Sequence, residues 1–185
     1  MTSKSKPFAD INVIRETQEA LSKQPELGKV TFKLKVQSNG GLAMVSKTGP
    51  LVQNGQPDNS RDGRFSLVSD EPTALLGTDT GANPAEYVLH ALAGCYTVTL
   101  ASMAAEKGVD LSGLELDLGF DIDLNGFLGL DKSIRKGATA INVDRKLTSE
   151  TANKAELEAL VAELPNNSPI YDTIANPVKI TNRLV

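Results

Sequence analysis

The stretch NPAEYVLHALAGCYTVTLASMAAEKG, residues 83–108, decides the fold. Asn83 is a suitable N-cap, since its side-chain oxygen can take an orphan backbone N–H of the first turn. Pro84 then sits at the first helical position, where a fixed φ helps and a missing amide proton costs nothing. Gly108 supplies the matching stop, because only glycine enters the left-handed region without strain. From Tyr87 to Ala105 there is no formal charge when His90 is neutral. The stretch therefore predicts a helix over 84–107 that is apolar on every side and needs cover all round. Its length approaches a bilayer span, but Gly94, the hydroxyls of Thr97, Thr99 and Ser102, the interspersed alanines and a lone basic flank at Lys107 fit a buried core or dimer-interface helix. No membrane partner is expected.

Upstream, residues 10–23 read as a polar helix with an apolar stripe of Ile11, Ile14 and Leu21, ending before Pro25. Val30, Phe32, Leu34 and Val36 alternate with Lys29, Thr31, Lys33 and Lys35, the pattern of a half-buried strand. Asn39-Gly40-Gly41 turns it into a second strand, Leu42 to Ser46. Residues 48–63, rich in Gly, Pro, Asn and Asp, read as a long loop, and Arg64 to Ser69 as a third strand.

Downstream lies the cleanest alternation in the chain. Leu114, Leu116, Leu118, Phe120, Ile122 and Leu124 stand against Glu115, Asp117, Gly119, Asp121 and Asp123. Carboxylates on alternate positions of an open strand do not converge on one ion, so this face is expected to pair across strands with Lys29, Lys33 and Lys35. A strand over 138–147, an amphipathic helix over 149–164 stopped by Pro165, a short helix opened by Asn167-Ser168-Pro169 and an edge strand from Val178 to Leu184 complete the order. Strands, a long helix, more strands and helices make an α+β fold with antiparallel sheets wrapping a long buried central helix. We divide the chain into an N-terminal arm, 1–27, and one domain, 28–185.

Composition narrows the function. A net charge of −4 on 185 residues gives a nucleic-acid partner no basic footprint. A single cysteine forms no internal disulfide and suits a reducing compartment, and the first ten residues lack the apolar run of a signal peptide, so a cytoplasmic location is expected. One histidine makes no multi-His metal site, and no phosphate loop or dinucleotide fingerprint occurs, so neither metal nor cofactor is expected.

The lone thiol is Cys95. About 17 Å along the helix from its start, it gains little from the helix dipole. To act as a nucleophile it needs a positive charge or hydrogen-bond donors from another element or another chain; otherwise it is a small packing residue. His90 points about 140° away round the helix. Glu86 and His90, four apart, are placed for a helix-surface ion pair. Ser168 reads as the N-cap of the short helix, with Pro169 at N1, and Tyr96 reads as core.

The segments Asn83-Pro84-Ala85-Glu86 and Ala91-Leu92-Ala93-Gly94-Cys95 resemble the central helix of the OsmC/Ohr family, the osmotically induced and organic-hydroperoxide-resistance proteins. Asp123-Leu-Asn-Gly126-Phe-Leu-Gly-Leu130, and Ser168-Pro169-Ile-Tyr-Asp172 with Asn176-Pro177-Val178, are similar to later segments of an OsmC-like subgroup. The resemblance runs over 28–183. It implies an α+β fold in which two chains intertwine as a homodimer, with the long helices buried and the sites at the interface. It implies a peroxidatic Cys95 that attacks the distal peroxide oxygen, and a second cysteine that closes a disulfide for a dithiol reductant to reopen.

Three of the family's four catalytic positions differ here. The resolving cysteine is replaced by Ser168, the arginine after a Gly-Gly turn by Leu42, and the glutamate after Asn-Pro by Ala85, with Glu86 one place on and about 100° round the helix. Arg64 is a candidate replacement for the arginine, against ordinary surface charge, and the Ser168 hydroxyl a candidate donor to Cys95. Two readings stand. In one, Cys95 reduces organic or small hydroperoxides in oxidative-stress defence, and an external thiol resolves the sulfenic acid. In the other, a non-catalytic dimer binds a small hydrophobic ligand and Cys95 is structural.

Overall fold

The computed structural model describes residues 6–184; the first five residues of the N-terminal arm, and Val185 at the end of the expected domain, lie outside the described residues. The chain divides into two units, 12–87, and 88–184 with 6–11.

In the first unit, helix α1 is Ile11–Lys23, with the Ile11, Ile14 and Leu21 stripe half-buried. The strand expected over 29–36 is broken into β1, Val30–Thr31, and β2, Leu34–Ser38. The halves serve different antiparallel sheets, with β2 against β3, Met44–Thr48, through the expected glycine turn, and β1 against β4, Leu51–Gln53. Val30, Phe32, Leu34 and Val36 are exposed rather than half-buried. The expected loop at 48–63 holds a hairpin of β4 and β5, Gln56–Asp58, turning at Asn54 (φ 47°) and Gly55 (φ 76°). Two consecutive positive φ angles are the signature of the primed turn that Asn-Gly favours. The third strand, β6, is Ser66–Ser69, paired with β3.

Asp70, 1% exposed, follows β6 and gathers the loop ahead of the long helix. Its Oδ2 accepts from the Thr78 hydroxyl at 2.6 Å, the Thr78 amide at 3.0 Å, the Thr80 hydroxyl at 3.0 Å and the Thr80 amide at 3.2 Å, and its Oδ1 from the Glu71 amide at 2.8 Å. These donors, the Thr78 hydroxyl foremost, hold the carboxyl well below the usual carboxylate range against the opposing effect of burial.

Helix α2 is Pro84–Lys107, ended by Gly108 at φ 69°. Asn83 accepts from the Glu86 amide at 2.8 Å, and Glu86 accepts from the Asn83 amide at 2.8 Å, a complete capping box. The Tyr87 hydroxyl ties the first turn to the Val68 carbonyl at 2.6 Å. Leu92, Tyr96, Leu100, Met103 and Ala104 form one core with Leu111, Leu160 and Leu164. The helix has the length and composition of a span, but here it serves as the core helix. It is covered on one side only: Ala91, Gly94, Thr97 and Val98 are exposed, Val98 at 67%.

The second unit also contains β7, Leu111–Asp121, antiparallel to β8, Ala140–Ser149. The acidic face of β7 meets β8, with Glu115 opposite Lys146 and their charged groups 3.5 Å apart, while Lys35 pairs with Asp62 in its own unit. Glu115 and Lys35 thus pair locally rather than with the partners expected, and Asp117 stands opposite Asp144. After β7 comes the single turn α3, Leu124–Phe127. Helix α4 is Lys154–Ala162, shorter than expected because β8 runs on to 149 and an Asn153–Glu156 capping box fixes the start. Pro165 opens the next turn, α5, Leu164–Asn167, and α6 is Pro169–Ala175. The expected C-terminal edge strand is absent: 176–184 is irregular, with Val178, Ile180 and Leu184 exposed and no strand paired to it among the described residues. In the N-terminal arm, Lys6 pairs with Asp110 at 2.7 Å.

Candidate active site around Cys95

Cys95 sits half-buried on the flank of α2, one residue before the buried Tyr96. The chain returns to it through α6. Pro169 fixes the first helical φ, so the preceding residue stays extended (Ser168 φ −100°, ψ 110°) and its side chain turns inward as the N-cap. Ser168 is 2% exposed. Its Oγ accepts from the Tyr171 amide at 3.3 Å and donates to Cys95 Sγ at 3.2 Å.

An amide nitrogen only donates, so Oγ accepts from Tyr171, and its one hydrogen stays available for sulfur. The hydroxyl thus stands within hydrogen-bond reach of the sulfur, and the thiolate is the nucleophilic form of a cysteine. The sequence-expected pair Cys95 and Ser168 is thus brought together within the second unit.

Tyr96 is core, as expected, at 2% exposure. Burial pushes its phenol pKa up, with Arg145 opposing. The Arg145 guanidinium lies over the ring, 5.4 Å from its centroid. Arg145 did not emerge from the sequence, though a signal was there. It falls in the row Ile141, Val143, Arg145, Leu147, a charge on the apolar side of an alternating strand.

The other two expected residues make contacts of their own. Glu86 turns its carboxylate back onto the Asn83 amide. Arg64 belongs to the 12–87 unit, where it and Arg61 flank the Phe65 ring at 5.3 and 5.2 Å. No group of three or more potential metal ligands occurs among the described residues.

Residues 77–183 match the family described as OsmC-like protein. No curated protein matches the sequence. Similar solved structures include an OsmC-like protein from Mycoplasma pneumoniae, at 18% identity and TM-score 0.62, covering 80% of this chain and 89% of that one. Another is an organic hydroperoxide resistance protein, OsmC, from Legionella pneumophila, at 20% identity and TM-score 0.56, covering 80% and 92%. A third is an OsmC-like protein of unknown function from Vibrio cholerae, at 12% identity and TM-score 0.59, covering 77% and 92%. At these identities the likeness carries the fold.

Proposed function

The chain belongs to the OsmC-like protein family, and from that premise we propose that it is a one-cysteine thiol peroxidase that reduces organic hydroperoxides in oxidative-stress defence. The observation that carries this reading is the inward hydroxyl of Ser168 donating to Cys95 at 3.2 Å. The Cys95 thiolate attacks the distal oxygen of the hydroperoxide. An S–O bond forms, the O–O bond breaks, and the alkoxide leaves and takes a proton to become the alcohol. Sulfur is oxidised to the sulfenic acid and the peroxide is reduced by two electrons. With Ser168 where a resolving cysteine would stand, an external thiol attacks the sulfenic acid and releases water. A second thiol then reduces the mixed disulfide and regenerates Cys95. The protein works in the cytoplasm as a homodimer, and the exposed apolar residues on α2 and β2 support the pairing of two chains.

Leu42 and Ala85, at positions where the resemblance expects an arginine and a glutamate, favour a second reading. It is a non-catalytic dimer that binds a small hydrophobic ligand, with Cys95 as packing.

One experiment separates them. The reduced protein is treated with one equivalent of cumene hydroperoxide in the presence of dimedone, and the adduct is located by peptide mass spectrometry. Stoichiometric dimedone on Cys95, with matching release of cumyl alcohol and no adduct in Cys95→Ser, supports the peroxidase. An unmodified Cys95 would overturn it.

A further inference from the structure

A pocket of about 310 Å³ opens between α2, β8 and α6, within the 88–184 unit. That volume is at the small end of ligand sites. Its apolar wall comes from Leu92, Ile141 and Ile174, with the rings of Tyr96 and Tyr171 beside them. Two cations line the same space, Arg145 from β8 and Arg135 from the segment before it. Neither has a carboxylate partner among the ion pairs of the described residues. Asp144 and Lys146, beside Arg145 in the chain, alternate to the other face of β8. Asp131 is occupied by the Ser133 amide and hydroxyl at 2.8 and 2.7 Å, and Asp172 on α6 accepts from Asn176 at 2.7 Å.

Two guanidiniums without counter-ions among the described residues, in a pocket of mixed polar and apolar lining on a chain with net charge −4, form a local inversion of charge. The Arg145 guanidinium lies over the Tyr96 ring at 5.4 Å and also serves its phenol oxygen; a guanidinium carries five N–H donors, so others remain to grip a carboxylate. We propose that this pocket is a binding site for a small organic carboxylate, with Arg145 and Arg135 on the carboxylate and Leu92, Ile141 and Ile174 on its apolar body. A phosphate or sulfate would satisfy the arginines but not the wall; a neutral alkane would satisfy the wall but not the arginines. The site goes beyond the peroxidase reading and stands independently of it, since a plain carboxylate does not oxidise Cys95.

The test uses the reduced full-length chain and the isosteric pair hexanoate and hexan-1-ol, titrated by calorimetry in low salt and mapped by amide chemical shifts. Hexanoate is expected to bind at least tenfold more tightly than hexan-1-ol and to weaken as sodium chloride is added. Its shifts are expected at Leu92, Tyr96, Ile141 and Tyr171. Arg145→Gln and Arg135→Gln are each expected to lose fivefold or more, and Arg145→Lys to retain part of the affinity. Circular dichroism establishes that each variant is folded. Equal binding of acid and alcohol, shifts elsewhere on the protein, or full affinity in a folded Arg145→Gln variant would each overturn the proposal. Because the wild-type comparison of acid with alcohol needs no variant, a misfolded mutant does not blunt the test.

Discussion

Ser168 occupies a position where one hydroxyl does two jobs. It caps α6 by accepting from Tyr171, and it donates to Cys95 Sγ at 3.2 Å. Hydrogen bonds to charged groups contribute about 1.5–3 kcal/mol, so Ser168→Ala is expected to slow Cys95 oxidation by roughly ten- to hundredfold. Ser168→Thr, which keeps the hydroxyl, recovers most of the rate if the effect runs through the donor; loss in both variants would point to packing instead. The proximity of the two side chains also makes Ser168→Cys informative. After one equivalent of peroxide it is expected to lose two hydrogens in intact mass as a 95–168 disulfide forms. A persistent dimedone-reactive sulfenic acid in that variant would show that the second sulfur does not reach the first.

Individual elements set how these residues are held, and two of them give direct predictions. The Asn83–Glu86 capping box starts α2, and Asn83→Ala is expected to cost about 1 kcal/mol in urea unfolding, whereas an unchanged midpoint would remove the box from the account. Asp70 responds to pH. Its folded pKa is depressed, so its contribution is fully present above the unfolded value of 3.8 and is lost as pH falls below it toward the folded pKa. Asp70→Asn is therefore expected to unfold at lower urea at pH 6 and to show a flatter decline between pH 5 and 3 than the wild type. Parallel declines in the two proteins would contradict the cradle. Legibility in the sequence followed the same divide between local and distant causes. Caps and glycine stops were readable at Asn83, Gly108 and Ser168, because each is satisfied within one turn of chain. The Asn54-Gly55 hairpin is equally local, but the surrounding Gly, Pro and Asp give it the composition of a loop. The break in the strand at Phe32 and Lys33, and the absence of a strand at 178–184, depend on which edge accepts which strand, and alternation alone does not record that. Arg145 was legible only as a charge out of place in an apolar row, and its meaning came with the ring of Tyr96 beneath it.

At the scale of the whole molecule, α2 is apolar all round, yet one side is bare in a single chain. A second copy is the occupant expected under the homodimer proposal. Light scattering after gel filtration is expected to give twice the chain mass, and Val98→Glu, on the bare side, to shift the protein to monomer or to aggregate. A wild-type protein at the chain mass would contradict the dimer. The reactivity of Cys95 decides between enzyme and binding protein, and it is read from the stopped-flow second-order rate constant for oxidation by cumene hydroperoxide and by hydrogen peroxide. Oxidation is expected to be far faster than that of free cysteine, with the organic peroxide preferred and the rate reduced in Ser168→Ala. A rate equal to that of free cysteine with both peroxides would contradict it, leaving Cys95 a packing residue in a binding protein.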